Sequence, residues 1–438
     1  MKACFISLGC DKNYVDTEHM MGILSEAGYE FVSDVEDADV CVINSCCFIA
    51  DALEESINTI IEVGRLKTEG HLQALILAGC LGQRFTDGVL SDLPEVDGIV
   101  GTNSYDEILQ VLEDALKGKK DVVKKDFSSL PSNEKGRFLT SVVPYSYLKI
   151  AEGCDKHCTY CIIPSIRGEF RSVPMEELLE ETQKMVEQGI KEINLVAQEV
   201  TLYGVDLYGK KSLPPLLNKL SEIDGLEWIR LLYCYPEEIN DELIEVMANN
   251  PKVCHYIDMP IQHCSDVILG RMGRKTSKAD IINIISTLRS RIPDICIRTT
   301  LICGFPGETE ENHKEMLDFV EEIKFDRLGC FAYSKEDGTP AATFENQIDD
   351  DVKNAWKDEI MELQQRIIFE KNAALIGEVV PCFIEGKVED GVYAARTYGD
   401  APDVDGYIFV ETDHDYMSGE IVSAKVIDYK DYDLIGEI

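Results

Sequence analysis

Three cysteines in the middle of the chain constrain its fold more than any other feature. Cys154, Cys158 and Cys161 lie in the segment Cys-Asp-Lys-His-Cys-Thr-Tyr-Cys, directly after a predicted strand. Three thiolates so close in sequence can hold one metal cluster on a single loop, and iron–sulfur clusters are held by cysteine thiolates, usually four. With three protein ligands, one iron is left open for a substrate or cofactor. The loop therefore predicts an iron–sulfur centre that follows a strand.

A partial zinc site is the alternative interpretation of this loop. Structural zinc sites take four cysteine or histidine ligands at characteristic spacings. His157 lies inside the loop, but no fourth cysteine or other histidine stands at zinc-finger spacing nearby. We therefore favour the iron–sulfur cluster.

A second set of cysteines ends three separate apolar runs near the N-terminus. Cys10 follows Phe-Ile-Ser-Leu-Gly, Cys46 follows Val-Ile-Asn-Ser and Cys80 follows Leu-Ile-Leu-Ala-Gly. In a parallel α/β sheet, ligand sites form beyond the carboxyl ends of the strands. Free cysteines are often simply buried, but three in equivalent positions favour a second cluster, again with an open iron.

The other cysteines are interpreted as packing residues. Cys47 competes with Cys46 as a ligand, but adjacent residues of an extended chain point to opposite sides, and we choose Cys46 because a turn begins there. The rest lie within predicted strands or have no motif around them: Cys4, Cys41, Cys234, Cys254, Cys264, Cys296, Cys303, Cys330 and Cys382.

The pattern of apolar residues divides the chain into four parts. Residues 1–116 alternate short strands with helices, which predicts a parallel α/β domain. Residues 117–139 are polar, which predicts a linker. Residues 140–372 repeat the alternation in about six βα units, which predicts a partial parallel barrel. Residues 373–438 contain short strands and turns, which predict a small all-β barrel.

The charge of the chain limits its partners. The chain carries 81 acidic and 42 basic residues, a net charge of −39, which argues against a broad basic face for nucleic acid. The last part holds 15 acidic and 4 basic residues, the densest negative charge. We expect an acidic surface for a basic ligand there, rather than a calcium loop, formed by Asp400, Asp403, Asp405, Asp413 and Asp415.

The location follows from the cysteines and from the apolar runs. The N-terminus lacks an export signal, and the longest apolar runs are strand-sized. Sixteen cysteines without such a signal indicate a reducing compartment, so we expect a cytoplasmic protein.

The loop Cys154-Asp-Lys-His-Cys158-Thr-Tyr-Cys161 resembles the signature of radical S-adenosylmethionine enzymes. The resemblance implies that these three cysteines are catalytic and hold a 4Fe–4S cluster whose open iron binds S-adenosylmethionine. It also implies a partial (β/α)6 barrel. Tyr160 occupies a position that is commonly aromatic in this superfamily, which implies a contact with the cofactor.

The whole chain resembles one branch of that superfamily, the methylthiotransferases, whose C-terminal module is a TRAM domain. The segment Ser-Leu-Gly-Cys10-Asp-Lys-Asn is similar to the enzymes that modify an aspartate of ribosomal protein S-twelve. The branch that modifies tRNA usually carries Gln-Met-Asn after this cysteine. Cys47 is a departure, because the family more often has a small residue there.

The resemblance implies a reaction, its cofactors and its partners. Two 4Fe–4S clusters, one of them held by Cys10, Cys46 and Cys80, and S-adenosylmethionine would place a methylthio group on the aspartate β-carbon. Such a C–H bond offers no leaving group, so a cofactor has to supply a radical. The implied partners are the basic ribosomal protein, free or on the small ribosomal subunit, and a reducing electron donor. Neither a membrane nor a nucleic-acid substrate is expected.

Two glycines and two histidines each have two possible interpretations. Gly304 and Gly307, in Gly-Phe-Pro-Gly-Glu after a predicted strand, are candidate cofactor contacts, but a plain turn explains them equally well. His157 and His263 are candidate proton donors, although a surface or structural role is the more common one.

Two other functions remain to be separated from this one. A tRNA methylthiotransferase has the same chemistry and predicts a basic C-terminal barrel. A non-catalytic iron–sulfur protein for electron transfer or sensing predicts four protein ligands for each cluster and no cleavage of S-adenosylmethionine.

Overall fold

The computed structural model describes residues 1–134 and 136–438. In chain order, the strands are β1 (Lys2–Ser7), β2 (Glu30–Phe31), β3 (Val40–Ser45), β4 (Ala74–Gly79), β5 (Gly98–Val100), β6 (Asp121–Val123), β7 (Tyr145–Lys149), β8 (Ala151–Glu152), β9 (Arg171–Ser172), β10 (Glu192–Val196), β11 (Trp228–Leu231), β12 (Val253–Asp258), β13 (Cys296–Cys303), β14 (Arg327–Ala332), β15 (Val379–Glu389), β16 (Val392–Thr397), β17 (Ile408–Glu411), β18 (Ile421–Lys430) and β19 (Asp433–Glu437).

The α-helices follow the same order. They are α1 (Asp11–Glu26), α2 (Ala50–Thr68), α3 (Cys80–Arg84), α4 (Thr86–Asp92), α5 (Ile108–Leu116), α6 (Ile163–Arg167), α7 (Met175–Glu187), α8 (Val205–Tyr208), α9 (Leu213–Ser221), α10 (Asp241–Asn249), α11 (Asp266–Arg271), α12 (Lys278–Arg291), α13 (Glu310–Ile323) and α14 (Asp350–Leu375). Among the described residues, no helix is long and apolar enough to cross a membrane.

The chain forms two compact units. The first contains Met1–Thr140, Ala151–Val173 and Ser334–Ala342, and the second contains Ser141–Ile150, Pro174–Tyr333 and Thr343–Ile438.

The first unit is built on a six-stranded parallel sheet with the order β2-β1-β3-β4-β5-β6. Strands β3 and β4 are buried along their whole length, as expected for parallel strands that are covered on both faces. Ser7 of β1 pairs with Asn44 of β3, and Ser45 pairs with Gly79 of β4. This register places the carboxyl ends of the three strands at one level.

One strand of this sheet lies in the segment that we predicted to be a linker. β6 pairs with β5 in parallel at the edge of the sheet. Its two valines stand between lysines and an aspartate, so the local pattern is too short and too polar to reveal a strand. Residue 135 of the predicted linker lies outside the described residues.

The second unit contains an open parallel sheet with the order β14-β13-β12-β11-β10-β7. Helices separate its six strands along the chain, so the prediction of about six βα units is confirmed. Two of these helices begin with a capping box, in which Ser277 and Asp280, and likewise Thr309 and Asn312, satisfy each other's backbone N–H groups. The last five strands close into a barrel in the order β15-β16-β17-β19-β18, which confirms the predicted all-β module.

A fully buried ion-pair cluster joins this barrel to the parallel sheet within the second unit. The carboxylate of Glu192, the first residue of β10, accepts hydrogen bonds from Arg230 Nε at 2.9 Å and from Arg396 Nη2 at 2.7 Å. Burial alone would raise the pKa of the Glu192 carboxyl, but the two guanidinium groups outweigh burial and hold the pKa below its ordinary value. Glu192 is therefore charged and paired.

The loop between β16 and β17 contacts this cluster, because Arg396 Nη1 donates to Asp400 O at 3.0 Å, and its aspartates correct part of the predicted acidic surface. Asp400 accepts a hydrogen bond from Arg327. Asp403 and Asp405 accept hydrogen bonds from the hydroxyls of Tyr145 and Tyr256. The side chains of Asp400 and Asp405 are only 3% and 4% exposed, so the prediction of a ligand-binding surface is wrong for these two. A sequence pattern cannot show it, because the partners come from distant strands.

Replacing the buried carboxylate should cost much of the stability of the second unit. We expect Glu192→Gln to lower the free energy of unfolding by about 3 kcal/mol, because it leaves two buried guanidinium groups without their counter-charge. Urea unfolding followed by circular dichroism measures this change. The matched control Lys387→Met removes an exposed pair with Asp390 and should change the free energy by less than about 0.5 kcal/mol.

The difference between wild type and Glu192→Gln should also depend on pH. Because the folded-state pKa of Glu192 is lowered, its stabilisation is fully present above the unfolded value of about 4.3. It is lost as the pH falls through the lower folded-state pKa. A difference that grows on acidification would contradict the assignment of Glu192 as a paired carboxylate.

Candidate iron–sulfur site

The three N-terminal cysteines lie together in the first unit, at the carboxyl edge of its sheet. Cys10 precedes α1, Cys46 follows β3 directly, and Cys80 begins α3 directly after β4. The level strand ends bring the three loops to one place. This edge also lies where the strand order changes direction between β1 and β3, the usual position of ligand sites in open α/β sheets.

Two glycines permit this close approach. A Cβ at Gly9 would lie 2.7 Å from Cys46 Cβ and 2.9 Å from its Sγ, so no side chain fits between Cys46 and the loop that carries Cys10. A Cβ at Gly79 would lie 2.3 Å from Asn44 Oδ1. Both glycines also have positive φ, 89° and 85°, which other residues adopt only with strain.

Asparagine side chains tie the strand ends to each other. Asn13 Nδ2 donates to Leu8 O at 2.9 Å and to Ser45 O at 3.0 Å. Asn44 Nδ2 donates to Asn13 O at 2.7 Å. The loops that carry Cys10 and Cys46 are therefore held by buried hydrogen bonds, which are costly to break without replacement.

The thiols of this set influence one another. Burial raises the pKa of Cys46, and the neighbouring Cys10 thiol raises it further. Burial likewise raises the pKa of Cys80 well above its ordinary value; Arg167 acts against this, whereas Cys10 and Cys46 add to it. Three thiolates in one buried place repel one another, and a bound cationic iron cluster would remove this cost.

Cys47 follows Cys46 directly, and its thiol interacts electrostatically with those of Cys46 and Cys80. Its side chain is fully buried in the apolar core of the first unit, among the residues on one face of the sheet. Burial raises its pKa to about 12. Cys80 lies in the same core, so burial does not distinguish a ligand from a packing residue here. The choice of Cys46 rests on its place beside the loop of Cys10, since a Cβ at Gly9 would lie 2.9 Å from Cys46 Sγ.

The loop from Cys154 to Cys161 also belongs to the first unit. The Cys154 N–H donates to Gly168 O at 3.1 Å and the Cys161 N–H donates to Cys158 O at 3.0 Å. Burial raises the pKa of Cys161 to about 12, and the Cys158 and Cys154 thiols contribute to this rise. The loop thus holds its three thiols as neighbours. Tyr160 is half-buried within it.

One arginine extends from this loop segment to the N-terminal set. Arg167 ends α6, and its guanidinium is buried. Nη1 donates to Asp16 Oδ2 at 3.0 Å and to Glu152 Oε1 at 2.9 Å. Nη2 donates to Asn13 Oδ1 at 2.5 Å and lies 3.9 Å from Cys80 Sγ.

The donor atoms at both places fit iron–sulfur clusters. Among the described residues, no three histidine, cysteine, aspartate or glutamate side chains converge closely enough to hold a single metal ion. In a 4Fe–4S cluster each thiolate binds a different iron, so its ligands lie further apart than those of one ion. Cysteine thiolates are the ligands that iron–sulfur clusters use, so the chemistry of both sets of three thiols suits such clusters.

The other predicted contacts lie in the second unit. Gly304 and Gly307 form the turn after β13 with φ of 75° and 84°, and the Gly304 N–H donates to Glu308 Oε2 at 2.7 Å. The conformation of this turn explains both glycines, and their cofactor contact stays a prediction, as does that of Tyr160. His263 is buried, its Nδ1 accepts from the backbone N–H groups of Cys264 and Ser265, and His157 is exposed.

The sequence analysis assigned no role to the polar residues around the N-terminal thiols. Asn13 and Asp16 follow Cys10 at intervals of three residues, so the three share one face of α1. Both polar residues are buried. The helical spacing of these polar residues after Cys10 could have indicated their place in the site. The same spacing could not reveal Arg167, which comes from a distant segment.

Three known families match parts of the chain. The radical SAM superfamily matches residues 148–320, Uncharacterized protein family UPF0004 matches residues 2–101, and the TRAM domain matches residues 376–438.

Curated relatives match the chain from end to end. A ribosomal protein uS12 methylthiotransferase RimO of Lachnoclostridium phytofermentans is 55% identical over 437 residues, which cover 100% of this chain and 99% of the relative. Proteins of the same name are 48% identical in Acetivibrio thermocellus and 47% identical in Clostridioides difficile, over 100% of this chain and 98% and 99% of those proteins.

Solved structures share the fold at low identity. The radical S-adenosylmethionine methyltransferase TsrM from Kitasatospora setae, with cobalamin and a [4Fe-4S] cluster bound, has a TM-score of 0.56 at 12% identity, over 78% of this chain and 76% of that chain. The cobalamin-dependent radical enzyme OxsB has a TM-score of 0.51 at 14% identity, over 82% and 56%. At such identities the likeness concerns the fold alone.

Substitution of the adjacent cysteines should separate ligand from packing residue. We expect Cys46→Ala to remove about half of the bound iron after anaerobic reconstitution, because one of two four-iron clusters loses a ligand. Cys47→Ala should keep the iron and lower only the thermal stability. Iron and sulfide analysis with electron paramagnetic resonance measures both. The opposite pattern would make Cys47 the ligand.

Proposed function

We propose that this chain, which belongs to the ribosomal protein uS12 methylthiotransferase family RimO, adds a methylthio group to the β-carbon of an aspartate in ribosomal protein uS12. The enzyme is a radical SAM methylthiotransferase that uses S-adenosylmethionine and 4Fe–4S clusters. This function fits better than a tRNA methylthiotransferase or an electron-transfer protein, because full-length relatives carry the uS12 name.

The observation that carries the proposal is the presence of two separate sets of three thiols in the first unit. Cys154, Cys158 and Cys161 would hold one cluster, and the N-terminal set would hold the other. When bound, the clusters and S-adenosylmethionine supply the radical and the sulfur chemistry that an unactivated C–H bond requires.

The protein's own residues prepare this chemistry by position and by charge. Cys80 and Cys46 are 6% and 7% exposed, and Cys158 is 4% exposed, so these ligand positions are shielded from water, whereas Cys10 and Cys161 are half-buried. Three thiols at each place, rather than four, leave one iron of each cluster without a protein ligand. The glycines at 9 and 79 and the asparagines at 13 and 44 hold the N-terminal thiols in one place before any cluster binds.

The surface charge of the C-terminal barrel supports a basic protein as substrate. Ten of its carboxylates are exposed, namely Glu378, Glu389, Asp390, Asp403, Glu411, Asp413, Asp415, Asp428, Asp431 and Glu437. Only Lys387, Lys425 and Lys430 oppose them, since the fourth cation, Arg396, is buried. An acidic face attracts a basic protein and repels the phosphates of tRNA.

The location and the division of the chain are further parts of this proposal. A ribosomal substrate supports a cytoplasmic location, and a reducing electron donor has to deliver electrons to the clusters. We keep the parts 1–116, 140–372 and 373–438, and of the segment 117–139 the strand β6 belongs to the sheet of the first part. The substrate is either the free ribosomal protein or the assembled small subunit.

The substrate can be tested directly. The protein is reconstituted anaerobically with iron and sulfide, and receives reductant, S-adenosylmethionine and either ribosomal protein uS12 or tRNA. Mass spectrometry should find a methylthio gain on one aspartate of uS12 and none on tRNA. Substituting that aspartate by alanine should abolish the gain. Modification of tRNA alone would contradict the substrate assignment.

Two cysteine variants serve as matched controls in this assay. Cys158→Ala should abolish formation of 5′-deoxyadenosine, whereas Cys10→Ala should retain it and lose only the methylthio product. If folded Cys10→Ala also lost the cleavage of S-adenosylmethionine, the division of labour between the two cysteine sets would be wrong.

The charge argument makes a separate kinetic prediction. The association rate with uS12 should fall steeply with added salt, because oppositely charged surfaces steer the encounter. The triple variant Asp390→Asn/Asp413→Asn/Asp415→Asn should bind more slowly at low salt and show a weaker salt dependence. Stopped-flow binding measures both quantities. An association rate that does not change with salt concentration would exclude electrostatic steering.

A further inference from the structure

Arg167 lies where the segment of the Cys154–Cys161 loop meets the N-terminal thiols. Its guanidinium is 2% exposed and contacts two carboxylates, one amide oxygen and the sulfur of Cys80. A buried arginine that serves only to pair carboxylates needs no sulfur neighbour. The contact with Cys80 therefore requires a separate explanation.

The backbone holds this arginine in a fixed position. Arg171 Nη2 donates to Arg167 O at 2.9 Å, and Thr102 Oγ1 donates to Ile166 O at 2.7 Å. Strands β8 and β9 pair on either side of the loop, and Ile162 and Ile166 are part of the apolar core of the first unit. These contacts fix the backbone of Arg167, and the hydrogen bonds to Asp16, Glu152 and Asn13 hold its guanidinium beside Cys80.

A fixed cation beside a cysteine ligand has a definite effect on an iron–sulfur cluster. Net charge and hydrogen bonds to the sulfurs set the reduction potential of such clusters, and groups that contact the ligands orient them. Reduction adds one negative charge, so a nearby guanidinium stabilises the reduced cluster more than the oxidised one. The neighbouring carboxylate of Asp16 has the opposite effect.

We propose that Arg167 is a positioning residue for the N-terminal cluster, which holds the Cys80 ligand through an N–H···S contact and raises the reduction potential of that cluster. The proposal rests on the proposed function only in its assignment of Cys10, Cys46 and Cys80 as ligands. It concerns the potential of the cluster and is independent of the substrate.

The test uses the full-length chain with Cys154→Ala, Cys158→Ala and Cys161→Ala, so that only the N-terminal cluster is loaded. We expect Arg167→Gln to lower the equilibrium ratio of reduced to oxidised cluster about tenfold at a given potential. This change lowers the midpoint potential by about 59 mV for a one-electron couple. Arg167→Lys keeps the charge and should restore most of the loss. Redox titration monitored by electron paramagnetic resonance measures these potentials.

Two further variants separate charge from packing. Asp16→Asn removes a partner of Arg167 and should raise the potential, the opposite sign to Arg167→Gln. Arg137→Gln is the matched control, because Arg137 is a buried arginine whose Nε donates to Glu18 of the same helix α1 at 2.6 Å. It should lower stability and leave the potential unchanged.

Each outcome decides the proposal. An unchanged potential in Arg167→Gln, or a shift of the same sign in Arg167→Gln and Asp16→Asn, would overturn it. If the chain with the three alanine substitutions bound no iron, the assignment of Cys10, Cys46 and Cys80 as ligands would be wrong. Methylthio transfer by the wild type tests the proposed function separately. If this variant failed to fold, the redox titration is done on the chain with all six cysteines. The two clusters are then reduced in two separate steps, and the step that Arg167→Gln shifts is compared.

Discussion

The pairing of parallel strands at the start of the chain is the constraint on which the candidate site depends. Ser7 lies opposite Asn44, and Ser45 lies opposite Gly79, so β1, β3 and β4 end at one level. A slip of one residue would turn each side chain to the other face of the sheet and separate the thiols. Apolar cores on both faces oppose such a slip. The stability of the sheet and the placement of the cysteines therefore have one cause.

Buried arginines have a similar role in both units. In the first unit Arg167 is surrounded by carboxylates, an amide and a thiol, and in the second unit Arg396 and Arg230 enclose Glu192. Buried ion pairs add little net stability, but removing one partner is strongly destabilising. Their main effect is to exclude other arrangements of the same backbone. They also neutralise part of the acidic charge, so the negative surface of the C-terminal barrel is smaller than its composition suggests.

Regular structure was the most predictable feature of the chain. The apolar run that precedes Cys46 forms β3, because buried parallel strands are apolar along their length. β6 was missed, since two valines between charged residues carry no such signal. The burial of Asp400 was missed because a charged residue in a loop is usually exposed, and its partner Arg327 is distant in sequence.

The two sets of cysteines were determined by the sequence alone, because their signals are local. One set is contained in a single loop, and each member of the other ends an apolar run, so strand prediction and the geometry of parallel sheets suffice. Only the tertiary structure decided which charges meet. Asp16 and Arg167 are 151 residues apart, and Glu192 and Arg396 are 204 residues apart. Charged side chains carry no mark of their partner, so such pairs become visible only when packing of the apolar strands and helices has brought the segments together.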